Sequence, residues 1–410
     1  WAMTQPWCAR TVAERRDIPD WVKRGCIRVQ WELRDDGSPA AALAWLDRNW
    51  SKHFPDMPPF MTFFSFERIG AWVAPKYEPY YPSDAAFKAM TTRIREMGGH
   101  VCLFPSTYQW SLTCDRRPDG GFAWDDTRDF AAVGEPHAIK DRSGALVNKN
   151  LSWLRGGQSA ALCRGDAWTR AFFGASVDKM AARGVDVVQL DQVVGGRWPS
   201  DDRTVCFSPD HGHPPGFGRW DADAFREQMR QLRRQSDTNY PGMVFSMESP
   251  QELFVQDFGL FDYRHARSVI NVRPWDPYPR LHAPVFPYLY NEYLPVFHIP
   301  SHTEPVALIL AQAVVSGEIP SCKPRQLEFP GEALIKNGDF EMSADQPSGW
   351  TVWRNQPHGP ARVTLDASDV GAGKSALRLT GSDDRADVPV YQVLPLAESA
   401  LQIGRSYRLR

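Results

Sequence analysis

The chain has 410 residues, enough for one large domain and a smaller second one. Its 47 Lys and Arg residues nearly balance its 49 Asp and Glu residues, for a formal net charge of −2, which excludes a nucleic-acid-binding surface driven by bulk charge and a polybasic membrane-binding surface. Hydrophobic residues make up 42% of the chain, as in globular proteins, and the longest apolar run, around 306–315, is too short to span a bilayer.

Short apolar runs alternate with helical periodicity from about residue 60 to residue 290. Strands are predicted at 60–66, 100–104, 159–163, 185–190, 242–247, 260–263 and 284–290, and an eighth unit falls within 306–319. Amphipathic helices are predicted after Ser83, after Asp166 and after Gly218, each between two of these strands. Strand–helix alternation over this length favours a parallel (β/α)8 TIM barrel over an open sheet.

The segments around the barrel differ from it in pattern. Residues 1–55 are interpreted as a lead-in, or as the end of a preceding β domain, because residues 27–33 alternate like a strand. The barrel is placed at 56–320 and a proline-rich linker at 321–332. Residues 333–410 contain short alternating segments between turn residues, which predicts part of an all-β sandwich. The strand-like last residues indicate a piece of a longer protein.

Two carboxylates stand directly after predicted barrel strands. Asp191 follows the fourth strand and Glu248 the fifth, and the active sites of such barrels lie at the carboxyl ends of the strands. Either residue alone is as well explained as a helix cap or as the partner of an arginine such as Arg197. Two on neighbouring strands fit glycosidic bond cleavage, which needs one carboxylate as nucleophile or base and one carboxyl as acid.

The stretches 184–191, 245–252 and 257–263 resemble barrel glycoside hydrolases that have an Asp nucleophile after strand four and a Glu acid/base after strand five. The endo-α-N-acetylgalactosaminidases and, more remotely, the dextranases and α-amylase-like enzymes follow this plan. The resemblance implies a retaining hydrolase of an α-linked oligo- or polysaccharide, located outside the cell or in the periplasm. Asp191 would be the nucleophile and Glu248 the acid/base. Gln189 and Gln192 depart from the expected neighbours, so the sugar stays open.

Aromatic and polar residues near the predicted strand ends are candidate sugar contacts. They are Trp72, Tyr108, Trp110, Gln192, Arg197, Asp262, Tyr290 and Glu292. Asp262 has a second interpretation, as the acid of an α-galactosidase-like enzyme. Two other functions stay open: a non-catalytic glycan-binding protein on the same scaffold, and a barrel enzyme of another class, which the lack of an H-x-H pair on an early strand disfavours.

No catalytic metal or other cofactor is predicted for the barrel. His211 and His213 are two residues apart, but no third ligand stands at metal-site spacing, so a solvated loop is predicted there. The seven cysteines form no C-x-x-C motif, and Cys163 ends an apolar run typical of a small buried residue. The stretch 337–341 and the segments after it resemble carbohydrate-binding modules of families 4, 9 and 22, which implies a structural calcium with Glu341 as a candidate ligand.

Overall fold

The computed structural model describes residues 2–68, 73–115, 123–151, 157–191, 205–248, 251–262, 285–297, 306, 309–310, 313–314 and 317–328, and short strands between 342 and 391. The chain divides into two compact units, Trp1–Leu327 and Glu328–Arg410. The strands of the first unit are β1 (Arg28–Glu32), β2 (Phe60–Phe64), β3 (His100–Leu103), β4 (Gln109–Cys114), β5 (Trp124–Asp125), β6 (Asn148–Leu151), β7 (Gly157–Ala161), β8 (Val187–Leu190), β9 (Val244–Glu248), β10 (Leu260–Asp262), β11 (Val296–Phe297) and β12 (Ser321–Cys322). Its α-helices are α1 (Asp20–Lys23), α2 (Pro39–Trp45), α3 (Ser51–His53), α4 (Asp84–Glu96), α5 (Thr127–Asp129), α6 (Ala167–Ala181), α7 (Trp220–Asn239) and α8 (Val285–Tyr290). Single 3₁₀ turns lie at Ala2–Thr4, Pro6–Cys8, Glu135–His137, Glu252–Phe254 and Pro324–Leu327, and π-helical turns at Leu46–Trp50 and Phe130–Gly134.

Eight of these strands form a closed parallel barrel. Their order is β12-β1-β2-β3-β8-β9-β10-β11, and every pairing between neighbours is parallel. A parallel bridge between Phe297 of β11 and Ile319, just before β12, closes the ring, and the Ile319 N–H donates to the Val296 carbonyl at 2.7 Å. The first unit is therefore the predicted (β/α)8 barrel.

The outer faces of the barrel strands pack against helices that the sequence predicts. Helix α4 is capped by Ser83, whose Oγ accepts a hydrogen bond from the Ala86 N–H at 3.2 Å, and it buries Phe87, Met90 and Ile94. Helices α6 and α7 bury their own apolar faces in the same layer. This layer also holds Leu190 of β8 and Met247 of β9, so the residues on either side of these two point into the barrel.

The barrel interior is apolar at its base and polar above. Phe60, Cys102, Val187, Val244, Leu260 and Phe297 form the base. Above them the buried Arg28 guanidinium lies over the Phe297 ring at 4.3 Å and donates to Thr62 Oγ1 at 2.8 Å and to Ser321 Oγ at 3.0 Å. A second polar contact in the interior joins β8 to β10, where Gln189 Nε2 donates to Asp262 Oδ2 at 2.7 Å. The carboxyl edge therefore rests on a polar layer.

An antiparallel sheet is inserted between β3 and α6. Its strand order is β5-β4-β7-β6. The insertion follows the carboxyl end of β3, so the chain enters it from the carboxyl edge of the barrel. Its last strand, β7, leads through Cys163 into helix α6, which Asp166 caps by accepting from the Thr169 N–H at 2.9 Å.

Several strand predictions need correction. The run at 27–33 is the first barrel strand and does not end a preceding domain, and the run at 159–163 belongs to the inserted sheet. These two errors offset each other, so β8, β9 and β10 are strands four, five and six, as predicted. Residues 284–290 were predicted as a strand, but 285–290 are helical, with Phe286, Leu289 and Tyr290 at helical spacing against the core. Strand seven is β11, and strand eight is β12, inside the predicted linker.

The second unit shows short antiparallel strand pairs. Its described strands are β13 (Met342–Ser343), β14 (Gln346–Pro347), β15 (Thr351–Val352), β16 (Arg362–Asp366), β17 (Ala376–Thr380) and β18 (Val390–Tyr391). They pair as β13–β14, β15–β18 and β16–β17. The sandwich and its sugar binding stay predictions. Across the described part of both units, no helix is both long enough and apolar enough to cross a membrane.

Candidate active site

Asp191 and Glu248 lie side by side at the carboxyl edge of the barrel. The register of β8 and β9 pairs Leu190 with Met247, and these two carboxylates are the next residues on each strand. Because Leu190 and Met247 face the outer layer, Asp191 and Glu248 face the interior. Their exposed fractions are only 2% and 5%. The prediction that both follow adjacent barrel strands is confirmed by this geometry, while their catalytic roles stay a prediction.

The backbone of Asp191 is held by the end of strand three. Its N–H donates to the Pro105 carbonyl at 3.1 Å, and its carbonyl accepts from the Thr107 N–H at 3.3 Å. Between these residues, the Ser106 carbonyl accepts a hydrogen bond from the Tyr77 hydroxyl at 2.5 Å. Burial raises the pKa of Tyr77 well above its usual value, and nearby acids, Asp191 among them, raise it further. Tyr77 thus keeps its proton and holds the segment whose backbone contacts Asp191.

Glu67 is an acidic residue of this edge that the sequence analysis missed. It follows β2 after a turn at Ser65, which has a positive φ of 55°, and it is 1% exposed. Among the described residues, its Oε2 has no hydrogen-bond partner. Burial raises the pKa of Glu67 well above the usual carboxyl range, and the charge of Glu32 adds to the shift. A carboxylate just past a strand, the signal used for Asp191, would have identified it.

Glu32, the last residue of β1, adds a second acid with a cation close to it. It accepts hydrogen bonds from Gln30 Nε2 and Ser65 Oγ, both at 3.3 Å, and lies 3.6 Å from Lys323 Nζ. Burial raises the pKa of Glu32, and burial lowers the pKa of Lys323. The carboxyl edge therefore combines several buried acids with a buried lysine.

Asp262 lies deeper than the two candidate catalytic residues. It is fully buried, and its carboxylate accepts from Gln189, which stands two residues before Asp191 on the same inner face. The other candidate contacts Trp72, Gln192 and Arg197 lie outside the described residues, and so does Glu341, the candidate calcium ligand.

Tyr108 and Trp110 belong to the core, which contradicts their prediction as sugar contacts. Each is 2% exposed. The Tyr108 hydroxyl donates to Gln228 Oε1 at 2.6 Å, and Trp110 Nε1 donates to Asp126 Oδ2 at 2.8 Å. Both side chains pack in the outer apolar layer, because β4 turns away from the barrel into the inserted sheet.

Tyr290 and Glu292 lie at the wrong end of the barrel for substrate contact. Tyr290 ends helix α8, and Glu292 follows in the turn before β11. Both thus precede the amino end of strand seven, opposite the edge that holds Asp191. The prediction failed because it took α8 for the strand itself.

The predicted solvated loop at His211 and His213 is also wrong. The two rings are 4% and 8% exposed. Together with Cys163 and Cys206 they form a buried group whose ligand atoms all lie within 4.8 Å of one another. No sequence pattern indicates this group, because Cys163 is far from the other three residues along the chain.

A (β/α)8 barrel with paired carboxylates at its carboxyl edge is the class that the fold and the site define. Residues 1–299 match a family model described as "Domain of unknown function (DUF6259)". Because this match covers almost three quarters of the chain, the chain belongs to that family.

Named relatives include glycosidases. A Bacteroides thetaiotaomicron protein named "Putative glycoside hydrolase" is 22% identical over 402 residues, which cover 96% of this chain and 52% of the relative. The ligand-free α-N-acetylgalactosaminidase NagBb from Bifidobacterium bifidum superposes with a TM-score of 0.55 at 14% identity, over 76% of this chain and 50% of that one. Its GalNAc complex gives 0.54 at 14% identity, over 75% and 48%. The chain thus spans about half the length of these relatives, and the structural likeness shows the barrel fold.

Proposed function

We propose that this chain carries the catalytic barrel of a retaining glycoside hydrolase, with Asp191 as nucleophile and Glu248 as acid/base. The observation that carries the proposal is their placement at neighbouring positions of β8 and β9, both facing the interior. Adjacent strands are about 4.8 Å apart, which suits the carboxyl separation of about 5–5.5 Å that a retaining mechanism needs. The glycosidase names of the relatives support the same class.

The reaction would proceed in two displacements at the anomeric carbon. Asp191 attacks that carbon while the protonated Glu248 gives its proton to the leaving glycosidic oxygen, which forms a covalent glycosyl-enzyme. Glu248, now a carboxylate, takes a proton from water, and the resulting nucleophile displaces Asp191 with net retention. Tyr77, held by the Ser106 carbonyl, would keep the site beside Asp191 polar and ordered.

The finer parts of the proposal concern substrate and location. An α-linked oligo- or polysaccharide is favoured by the sequence resemblance and by the α-glycosidase named among the structural relatives. The near-neutral charge gives no support for a nucleic-acid partner. An extracellular or periplasmic location comes from the resemblance alone, and fractionation of the native host would test it.

The test is a screen of the intact chain against activated aryl α- and β-glycosides, followed by variants. Asp191→Ala should abolish turnover of every substrate. Glu248→Ala should lose about 10²–10⁴-fold with an unactivated leaving group and less with an activated one. Added azide should rescue Glu248→Ala and give a glycosyl azide of retained configuration. Asp186→Asn is the control, because Asp186 lies at the amino end of the same strand and bonds the Val101 N–H.

Two outcomes would overturn these assignments. Azide rescue of Asp262→Ala without rescue of Glu248→Ala would make the strand-six carboxylate the acid/base. A wild-type chain that binds glycans but turns none over would favour a non-catalytic glycan-binding protein.

A further inference from the structure

A buried cluster of two thiols and two imidazoles lies outside the candidate active site. We call Cys163, Cys206, His211 and His213 the Cys2His2 cluster; each is less than a tenth exposed. The Cys163 sulfur is 3.1 Å from His213 Nε2, and the Cys206 sulfur is 3.2 Å from His211 Nδ1. In a tetrahedral zinc site with Zn–S of about 2.3 Å and Zn–N of about 2.0 Å, ligand atoms are roughly 3.3–3.8 Å apart. The two sulfur–nitrogen distances are within a few tenths of an ångström of that spacing, and all four ligand atoms lie within 4.8 Å of one another.

Both histidine rings are oriented for metal binding by their outer nitrogens. His211 Nε2 lies 2.8 Å from the Pro136 carbonyl, and His213 Nδ1 lies 2.9 Å from the Pro214 carbonyl. A carbonyl can only accept, so these nitrogens carry the protons. In a neutral imidazole the opposite nitrogens, which face the sulfurs, carry no proton and can bind a metal. Histidine ligands of metals typically donate their second N–H in this way.

The chain is built closely around the cluster. The Trp220 ring stacks on His213 with centroids 3.6 Å apart and an interplanar angle of 6°. A Cβ at Gly165 would come within 2.3 Å of His213 Cδ2. Only glycine therefore allows the backbone to approach the ring this closely.

We propose that the Cys2His2 cluster binds one Zn²⁺ ion as a structural site. Two thiolates and two neutral imidazoles are a standard zinc ligand set, and four buried protein ligands leave no open position for catalysis. Binding would release the thiol protons, so affinity would fall as the pH is lowered.

The zinc would join two connections of the barrel, the one from β3 to β8 and the one from β8 to β9. Cys163 lies between strand β7 of the inserted sheet and helix α6, whereas Cys206 is the first ligand in the chain after Asp191. The ion would therefore tie the inserted sheet to the segment that leads from Asp191 to helix α7. That segment includes the candidate sugar contacts Gln192 and Arg197.

The experiment measures metal in the intact chain purified from zinc-supplemented cells. Elemental analysis should give about one zinc per chain, and Co²⁺ exchanged into it should show the visible bands and thiolate charge transfer of a tetrahedral site. Cys206→Ser should weaken zinc binding at least about tenfold. Cys114→Ser, which removes another buried thiol from the inserted sheet, should keep full zinc content.

A conservative variant protects the test against misfolding. His211→Cys should retain zinc, because Cys3His is also a common structural set. The proposal is wrong if the wild-type chain holds no more zinc than Cys206→Ser, or if mass spectrometry finds Cys163 and Cys206 joined by a disulfide. Loss of Co²⁺ charge transfer in Cys114→Ser as well would also overturn it.

Discussion

Replacing Arg15 by methionine would test whether the first residues of the chain belong to the barrel. The guanidinium is completely buried and donates to the carbonyls of Val255, Phe258 and Tyr293. It also pairs with Asp17 at 2.6 Å. Phe258 and Tyr293 stand just before β10 and β11, so Arg15 ties the amino-terminal segment to the amino ends of strands six and seven.

The loss of stability can be worked out from these contacts. Methionine keeps most of the packing of the arginine stem but leaves three buried carbonyls and one carboxylate without this donor. Breaking a buried ion pair with its hydrogen bonds costs about 3–5 kcal/mol. Unfolding entropy of about 2.1 cal/mol/K per residue, applied to Trp1–Leu327, gives roughly 0.7 kcal/mol/K. The Tm of Arg15→Met should therefore fall by about 4–7 °C.

The assay is thermal unfolding followed by circular dichroism, with Arg24→Met as the control. Arg24 is exposed and makes one bond to the Asp20 carbonyl at 3.4 Å, so its replacement should cost less than about 0.5 kcal/mol. Equal Tm values for the two variants would refute the assignment of the amino-terminal segment to the barrel core.

Two further predictions concern pH. Burial lowers the pKa of His100 to about 4. The unfolded chain therefore takes up a proton before the folded chain does, and stability is lost as the pH falls from about 6.5 to 4. His100→Gln should remove up to about 2 kcal/mol of that loss, measured by urea unfolding at pH 7 and pH 4.5. Burial raises the pKa of Glu67. The stability that protonated Glu67 contributes to the folded chain is therefore fully present below about pH 4.3 and is lost as the pH rises. Glu67→Gln should unfold at a higher Tm than wild type at pH 8 and at the same Tm at pH 4. An unchanged pH dependence in either variant would contradict the burial argument.

The helices and their caps could be predicted from the sequence because the information is local. Ser83 and Asp166 cap α4 and α6, and the spacing of Phe87, Met90 and Ile94 gives the buried face of α4. Strand partners could not be predicted in this way. Strand β1 pairs with residues 60–64 on one side and with 321–322 on the other, and nothing within 27–33 indicates either partner.

The sequence predicts a site residue where one rule gives its position. It does not predict a site that several distant segments form together. Asp191 and Glu248 follow from the rule that barrel sites lie at carboxyl ends of strands. Glu67 stands directly after the predicted strand 60–66, so the same rule identifies it as well. The Cys2His2 cluster was missed because its cysteines come from two separate connections of the barrel, and only the fold brings them together.

The depth of Asp262 argues for Glu248 as the acid/base. Glu248 on β9 and Asp262 on β10 are register partners, but barrel strands are tilted, so side chains at one height come from alternate strands. The bond from Gln189 on β8 to Asp262 on β10 shows which residues share a height. Asp191 stands two residues further along β8, one inner position above that pair. A glycosidic oxygen held beside Asp191 would therefore lie above the Gln189–Asp262 pair, within reach of the neighbouring Glu248, and Asp262 would form part of the floor that supports it.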